Sequence, residues 1–438
     1  MIPKIICTGN PQQSYALYLP STYSPDKSWP IIYAFDPGAR GEIAVDAIRE
    51  AAEKSGYIVV ASNNSRNGEE AVSTQALRAI WDDTQQRFSI NERRRYFAGM
   101  SGGARLAVAF AISCNGCVAG VIANAAGFPP GMKPSAALKF AYFAAVGDAD
   151  FNFLEFYDLR SELEESGMQF RIRPFEGAHG WAPPEVWQEA LNWMDLQAIR
   201  AGSLNADNAR VKELFDAAMQ RANRLLSQND FLEAFREYQF TVKDFSGLTS
   251  IAAAEKEIKD LAPDKRLKNA RKQETAVAED QRRIISRPSQ QMQYLAAGNL
   301  SPEDFMALRS NLAALLRQTQ GKGAEKDSHL IPTRRALSGL VVEAFEGGQF
   351  AIAQKKYDIA LLFFDLAVSG SDNPGWAYVQ RARVYAITSD KKHMLVELKQ
   401  ASSDGYHDVA ALNSPEFQPF QSDPDFQEIL RAWAARAR

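Results

Sequence analysis

The chain has 438 residues, of which 46% are apolar and 24% are charged, and its net charge is −3. This length and composition indicate a globular protein of two or three domains and exclude a wholly disordered chain. The near balance of acidic and basic residues argues against a nucleic-acid-binding protein and against a protein held on a membrane by basic residues. Three cysteines, Cys7, Cys114 and Cys117, are too few for a disulfide-stabilised scaffold.

The N-terminus lacks the apolar segment and the small-residue cleavage site of a secretory signal. A mature exported protein would look the same, so the localisation stays open: periplasmic or secreted if a signal has been removed, and cytoplasmic otherwise. The uncharged stretch 106–132 is interrupted by glycine, asparagine and proline. It therefore predicts a buried helix, a turn and a buried strand, and no membrane span is expected.

Residues 1–202 alternate between strand-like and helix-like patterns. Apolar runs predict strands at 15–19, 30–35, 57–62, 95–98, 118–123, 140–146 and 169–174. Amphipathic segments predict helices at 43–54, 74–87, 103–112, 153–165 and 185–198. This alternation indicates an α/β domain, with a mostly parallel sheet covered by helices on both faces. Ligands of such sheets bind beyond the carboxyl ends of the strands, so functional residues are expected just after the strands.

The composition changes at about residue 203, where alanine, glutamine, lysine and arginine become frequent. Residues 203–438 are therefore predicted to form an all-α domain. Segments 230–238 and 356–364 each have an aromatic residue, an alanine three positions later and an aromatic four further on. That spacing is typical of tetratricopeptide-like repeats, in which paired helices interlock. The stretch 250–335 does not fit it, so an irregular helical bundle is the alternative. Either form offers a surface for a protein partner.

The pattern Gly-x-Ser-x-Gly occurs at 99–103, after a predicted strand and before a predicted apolar helix. A serine in such a sharp turn projects its hydroxyl above the sheet, and small residues two positions to either side make the turn possible. Ser101 is therefore the expected nucleophile. The alternative is a glycine-rich turn in which the serine only caps the helix.

A serine nucleophile needs a base, and His179 is the one histidine in residues 1–202. It follows the last predicted strand, which favours a general base over a structural histidine. Two carboxylates, Asp148 and Asp150, follow the preceding predicted strand and could orient it. Asp150 is favoured because it lies three residues past Gly147, which gives the loop room to turn back. Asp148, closer to the strand, would instead cap the loop.

Acyl transfer also needs two hydrogen-bond donors for the oxyanion. The amide of Gly102, immediately after the serine, is the expected first donor. The second is expected in the loop after strand 30–35, where Pro37 has no amide hydrogen and leaves Gly38 or Ala39. Asp36, in the same loop, is expected to bind the loop backbone, as aspartates in turns do.

Taken together, residues 10–200 resemble an α/β-hydrolase of the esterase type, similar to the polyhydroxybutyrate depolymerase, feruloyl esterase and dienelactone hydrolase group. The resemblance rests on 14–20, Asp36-Pro37-Gly38, 99–103, Asp150 and His179-Gly180-Trp181, with serine, aspartate and histidine in the hydrolase order. It implies a bacterial serine hydrolase that cleaves a carboxylic ester through an acyl-enzyme, without a metal or an organic cofactor. One departure matters: Asp36-Pro37 stand where relatives carry histidine-glycine, which leaves the second oxyanion donor in doubt.

Three further residues are candidates for contact with the substrate: Met100 beside the nucleophile, Asn64 in the polar turn 63–68, and Trp181 beside the base. The alternatives are a plain polar turn at 63–68 and a packing role for Trp181. Cys114 and Cys117 have C-x-x-C form, but a zinc site would want four ligands. Two buried free thiols are expected instead, with a redox-active pair as the lesser alternative.

Two other functions stay open. One is a binding or scaffold protein with a vestigial hydrolase domain, and the other is a serine peptidase gated by the helical domain. The segment 127–138 is too short and too rich in proline to form a helical cap over the nucleophile. The helical domain could serve as that cover, or it could stand apart and leave the site open.

Overall fold

The computed structural model describes residues 1–68, 70–205, 207–321, 323 and 327–436. An eight-stranded sheet with flanking helices is followed by helices alone, so the predicted α/β and all-α regions are confirmed. The strands are β1 Ile2–Cys7, β2 Asn10–Tyr18, β3 Trp29–Phe35, β4 Ile58–Ser62, β5 Ile90–Met100, β6 Gly120–Asn124, β7 Ala141–Gly147 and β8 Phe170–Phe175.

Helices cover the sheet and then make up the rest of the chain. The helices are α1 Gly41–Ser55, α2 Glu70–Arg87, α3 Gly102–Cys114, α4 Phe153–Ser166, α5 Pro184–Arg200, α6 Asn208–Ser227, α7 Phe231–Phe245, α8 Ala252–Leu261, α9 Lys265–Ala297, α10 Pro302–Thr319, α11 Ile331–Ala353, α12 Tyr357–Gly370, α13 Gly375–Ile387, α14 Lys391–Ser403 and α15 Pro424–Arg436. Short 3₁₀ turns lie at Ser328–Leu330, Val409–Asn413 and Pro415–Phe420.

The sheet has the strand order β1-β2-β4-β3-β5-β6-β7-β8. Strand β2 is antiparallel to both of its neighbours, β1 and β4. The six remaining strands, β3 to β8, are parallel to one another. Strands β3, β4, β6 and β7 are buried along their whole length, because helices cover both faces. The carboxyl ends of the parallel strands therefore meet at one edge of the sheet.

Strand β1 has no counterpart among the predicted strands. It pairs only with β2, at the edge of the sheet, and most of its residues are exposed. Pro3 is tolerated there because an edge strand does not need every amide for pairing. The strand escaped prediction because it lacks the apolar run that marks the buried strands.

The described residues fall into two compact units, Met1–Ala276 and Val277–Arg438. Helices α6, α7 and α8 therefore belong with the sheet, although their composition resembles that of the later helices. The expected domain boundary near residue 202 stays a prediction. The last helix on the sheet before the change in composition, α5, ends at Arg200.

A buried ion network joins strand β8 to helices α6 and α7. Arg171 of β8 donates to Glu237 and, at 2.9 Å, to Asp244, both on α7. Arg221 of α6 also donates to Glu237, at 2.9 Å from its Nε. Burial opposes ionisation of Glu237, but Arg171 and Arg221 outweigh it and lower its pKa to about 2. The network explains why these helices pack with the sheet: without them Arg171 would be a buried, unpaired charge.

In the second unit, α11 and α12 interlock through small and large residues. An ideal Cβ on Gly348 of α11 would lie 2.5 Å from a ring carbon of Phe364 on α12. Only glycine allows the two helices to approach so closely. On the next pair, α13 and α14, the small residues Ala382 and Ala401 are fully buried. The close contact between a small and a large residue that the repeat pattern predicts is therefore present between α11 and α12.

Cys114 and Cys117 correct an expectation. The structure joins them by a disulfide, with their Cα atoms 5.6 Å apart, whereas two buried free thiols were expected. Cys114 ends α3 at the surface, and the turn that follows contains Gly116 with a positive φ of 116°. The turn brings the two side chains together within bridging distance. Cys7, the remaining cysteine, is free and buried.

The uncharged stretch 106–132 contains the end of α3, strand β6 and a turn, as predicted. Residues 127–138, which follow β6, contain no helix. Across the described part of the chain, no helix combines the length and the apolar composition needed to cross a bilayer.

Candidate active site

Ser101 lies between β5 and α3 in a strained backbone conformation, with φ 54° and ψ −125°. A positive φ is costly for a residue other than glycine and persists only where the surroundings enforce it. Here the amide of Ser101 donates to the carbonyl of Asn124, at the end of β6, at 2.8 Å. The serine thus has the sharp strand-to-helix turn that the Gly-x-Ser-x-Gly pattern predicts.

The flanking glycines are required by close backbone contacts. An ideal Cβ on Gly99 would lie 2.1 Å from the carbonyl oxygen of Gly103. One on Gly103 would lie 2.0 Å from the carbonyl oxygen of Phe35, at the end of β3. Any side chain at either position would force the turn apart.

Asp150 and His179 are brought together from the ends of β7 and β8. The Nδ1 atom of His179 lies 3.0 Å from both carboxylate oxygens of Asp150. Asp150 is fully buried, and its Oδ1 also accepts from the amide of Asn152 at 2.8 Å. A hydrogen bond at Nδ1 fixes the tautomer of the imidazole and leaves Nε2 as the proton acceptor. The ring of Phe151 stacks on His179, with the ring centres 4.2 Å apart.

Asp148 has a different position. Its Oδ1 accepts from the amide of Gly177 at 3.0 Å and so holds the loop that carries His179. The same loop packs tightly on Gly147, where an ideal Cβ would lie 2.3 Å from the carbonyl oxygen of Gly177. Of the two candidate carboxylates, Asp150 is therefore the one that reaches the histidine.

The hydroxyl of Ser101 and the imidazole of His179 are not hydrogen-bonded to each other among the described residues. Catalytic hydrogen bonds are often long or poorly aligned in proteins without a substrate and tighten when it binds. Both side chains keep access to solvent: Ser101 is partly exposed, and the side chain of His179 is 21% exposed.

Asp36 organises the loop after β3 and is almost fully buried. Its Oδ1 accepts from the amide of Gly38 at 2.8 Å and from Nε of Arg40 at 2.8 Å. Its main-chain carbonyl accepts from the amide of Ala39 at 3.2 Å. The expected backbone-binding role of Asp36 is thus present. As a consequence, the two amides expected to supply the second oxyanion donor already donate within the loop.

The other expected contact residues are placed as follows. Asn64 holds β2, because its Oδ1 accepts from the amide of Ser14 at 2.9 Å and its Nδ2 donates to the carbonyl of Gln12 at 3.1 Å. Met100 ends β5 and is only 7% exposed. Trp181 donates from Nε1 to Oδ2 of Asp36 at 3.1 Å. No cluster of three or more potential metal ligands occurs in the part of the chain that the structure describes.

Sequence reasoning missed Asn67, three residues beyond Asn64. Its carboxamide lies against the backbone of Gly102, where an ideal Cβ would be 1.9 Å from Oδ1 and 3.0 Å from Nδ2. The polar turn 63–68 was recognised as a neighbour of the site. The spacing alone did not tell which of its asparagines faces the nucleophile.

The strand order, the serine turn after β5, the aspartate after β7 and the histidine after β8 occur together. This chain contains an α/β-hydrolase fold. No protein-family model matches the chain, and no curated protein matches it.

Solved structures of esterases and related hydrolases are similar to part of this chain. S-formylglutathione hydrolase FrmB from Staphylococcus aureus is 15% identical, with a TM-score of 0.34, and the match covers 42% of this chain and 90% of that one. The feruloyl esterase module of Clostridium thermocellum is 16% identical, with a TM-score of 0.33, covering 43% and 83%. Est1E from Butyrivibrio proteoclasticus is 14% identical, with a TM-score of 0.35, covering 45% and 98%.

Proposed function

We propose that this protein is a serine hydrolase that cleaves carboxylic esters through an acyl-enzyme, with Ser101, His179 and Asp150 as its triad. The observation that carries the proposal is the conjunction of two features: the strained backbone of Ser101 and the pairing of His179 with Asp150. A strained serine alone could be explained by a sharp turn, and a histidine paired with an aspartate could be explained by a structural role. Here residues at the ends of three different strands can support one reaction. This favours catalysis over a mere turn or a structural histidine.

In the first step, Oγ of Ser101 attacks the ester carbonyl carbon while its proton passes to Nε2 of His179. The carbonyl electron pair moves onto oxygen, and the amide of Gly102 donates to that oxyanion. Collapse of the tetrahedral intermediate breaks the bond to the alcohol oxygen, which takes the proton from His179. Water then attacks the carbonyl carbon of the acyl-enzyme in the same way, with His179 again taking and returning the proton, and the acid is released.

The buried carboxylate of Asp150 stabilises the imidazolium that forms in each step and keeps the ring oriented. The ring of Phe151 supports that orientation by stacking on the imidazole. The amide of Gly102 suits the oxyanion because Gly102 begins α3. The first amides of a helix have no partner within the helix and carry the positive end of its dipole.

Ester turnover tests the proposal. The full chain should hydrolyse p-nitrophenyl esters of short acids faster than the matching p-nitroanilides. Ser101→Ala should lower kcat by several orders of magnitude without changing the thermal unfolding temperature. Anilide cleavage at a comparable rate would favour the peptidase alternative. Retention of wild-type ester turnover by Ser101→Ala would contradict the mechanism.

A further inference from the structure

The oxyanion in the proposed reaction needs two donors, and neither of the two loop amides expected to supply the second donor is free. The amide of Gly102 donates to none of the described residues, as is usual for the first residue of a helix. The amides of Gly38 and Ala39 are both engaged with Asp36, at 2.8 and 3.2 Å. The loop after β3 therefore has no spare donor at either of these positions.

Freeing those amides would cost the loop several contacts at once. Asp36 is 1% exposed, and it also accepts from the side chains of Arg40 and Trp181. Turning its carboxylate away from Gly38 would leave a buried charge with fewer donors, which is unfavourable. A donor on a neighbouring element would not carry this cost.

Asn67 lies on the element that adjoins this loop. Its amide donates to the carbonyl of Pro37 at 2.9 Å, and Arg66 forms an isolated antiparallel bridge with Gly38. Ser73, buried in the first turns of α2, accepts from the amide of Arg66 at 3.3 Å and donates to its carbonyl at 3.2 Å. The backbone around Asn67 is thus held on two sides.

The carboxamide of Asn67 fills the space beside Gly102. An ideal Cβ on Gly102 would lie 1.9 Å from its Oδ1 and 3.0 Å from its Nδ2, so the carboxamide is in contact with the residue that follows the nucleophile. The Nδ2 group donates to none of the residues that the structure describes. It is an unused donor beside Gly102. A half-turn about the Cβ–Cγ bond exchanges the positions of Oδ1 and Nδ2.

We propose that Nδ2 of Asn67 is the second oxyanion donor, so that a side-chain amide takes the role expected of the backbone of Gly38 or Ala39. The inference rests on the proposed function. As Oγ of Ser101 bonds to the carbonyl carbon, the negative charge that develops on the carbonyl oxygen is shared by the N–H groups of Gly102 and Asn67. The charge disappears when the carbonyl re-forms and the alcohol leaves, so the contribution of Asn67 is made in the transition state and lowers the barrier.

Two substitutions at Asn67 separate donation from packing. Loss of one oxyanion donor typically lowers kcat by about 10²–10³-fold, with little change in KM. Asn67→Ala removes both the donor and the packing against Gly102. Asn67→Asp keeps the size of the side chain but replaces the donor with an acceptor, so it should be at least as slow as Asn67→Ala. The matched control is Arg66→Ala, which removes an exposed neighbouring side chain and leaves the backbone bridge in place.

The measurements are kcat and KM on a p-nitrophenyl ester, with stoichiometric labelling of Ser101 by a fluorophosphonate as the check on the triad. Both Asn67 variants should have strongly reduced kcat and an unchanged unfolding temperature, while prolonged incubation still labels one serine per chain. An Asn67→Asp variant with kcat within threefold of wild type would contradict the role of Asn67 and leave the proposed function standing. A wild-type protein that neither turns over esters nor reacts with the probe would contradict both.

Discussion

The indole Nε1 of Trp181 donates to Oδ2 of Asp36 at 3.1 Å, which joins the loop that carries His179 to the loop after β3. The two residues are 145 positions apart in the chain. The same carboxylate holds the amide of Gly38 and the guanidinium of Arg40. One buried aspartate therefore sets the positions of two loops beside the nucleophile.

Removal of this connection should weaken both loops. Trp181→Phe keeps an aromatic ring but loses the donor, and should lower the free energy of unfolding by about 1–2 kcal/mol. Asp36→Ala loses the acceptor for four groups, the amides of Gly38 and Arg40 and the side chains of Arg40 and Trp181, and should cost more. Urea unfolding of the two single variants and the double variant measures the coupling. Because both changes remove the same hydrogen bond, the double variant should be less destabilised than the sum of the singles. Simple additivity would show that the two loops are independent.

Asp150 and Asp148 should differ sharply in their effect on turnover. Asp150→Asn keeps the shape of the side chain but favours the wrong tautomer of His179, and it should lower kcat by about 10⁴-fold. Asp148→Asn leaves the pairing of Asp150 with His179 in place and should have a much smaller effect. Steady-state kinetics on one ester compares them. The reverse ranking would move the orienting role to Asp148.

Gly147 should tolerate no side chain. A methyl group there would approach the carbonyl oxygens of Gly177 and Ala178 to 2.3 and 2.6 Å and would push the loop of His179 away from Asp150. Gly147→Ala should therefore destabilise the protein by about 1–3 kcal/mol, as overpacking does, and should reduce turnover. Gly180→Ala is the control in the same loop, since an ideal Cβ there meets nothing within 4 Å. Equal unfolding temperatures for the two variants would contradict the steric explanation.

The buried network at Glu237 should make the stability depend on pH. The pKa of Glu237 is lowered to about 2 in the folded protein, against an ordinary value of 4.5. A lowered carboxyl pKa stabilises the folded state above pH 4.5, and that contribution is lost as the pH falls through about 2. The loss is on the order of 3 kcal/mol. Chemical unfolding of wild type and Glu237→Gln between pH 7 and pH 2 should show a steeper decline for wild type. If the free energy of unfolding declined equally with pH in both proteins, Glu237 would not be the cause of the pH dependence.

Much of the sheet could be predicted because its buried strands are continuous apolar runs. For β3, β4 and β7 the predicted ends lie within one residue of the observed ends. Ser101, Asp150 and His179 could be chosen from order along the chain, since parallel strands bring their carboxyl ends to one edge. The side-chain partners in the loops could not be predicted. Asp36 binds the amide of Gly38, and Asn67 rather than Asn64 lies against Gly102. Both arrangements depend on contacts between loops that no local pattern encodes.

The packing of α6 and α7 with the sheet depends on contacts of the same kind. Arg171 and Arg173 interrupt the apolar pattern of β8, and a charged residue in a buried strand calls for a partner. The partners of Arg171, Glu237 and Asp244, lie on α7, more than sixty positions later. Composition alone assigned that helix to the following domain.

Covalent labelling of the full chain by a fluorophosphonate tests the central claim most directly. The probe reacts with an activated serine and forms a stable phosphonyl adduct with loss of fluoride. Intact-mass measurement of the wild-type protein should show one adduct per chain, and peptide mapping should place it on Ser101. His179→Ala should slow the reaction greatly, and Ser101→Ala should abolish it. A folded wild-type protein that takes up no probe, or that carries the adduct on another serine, would contradict the account.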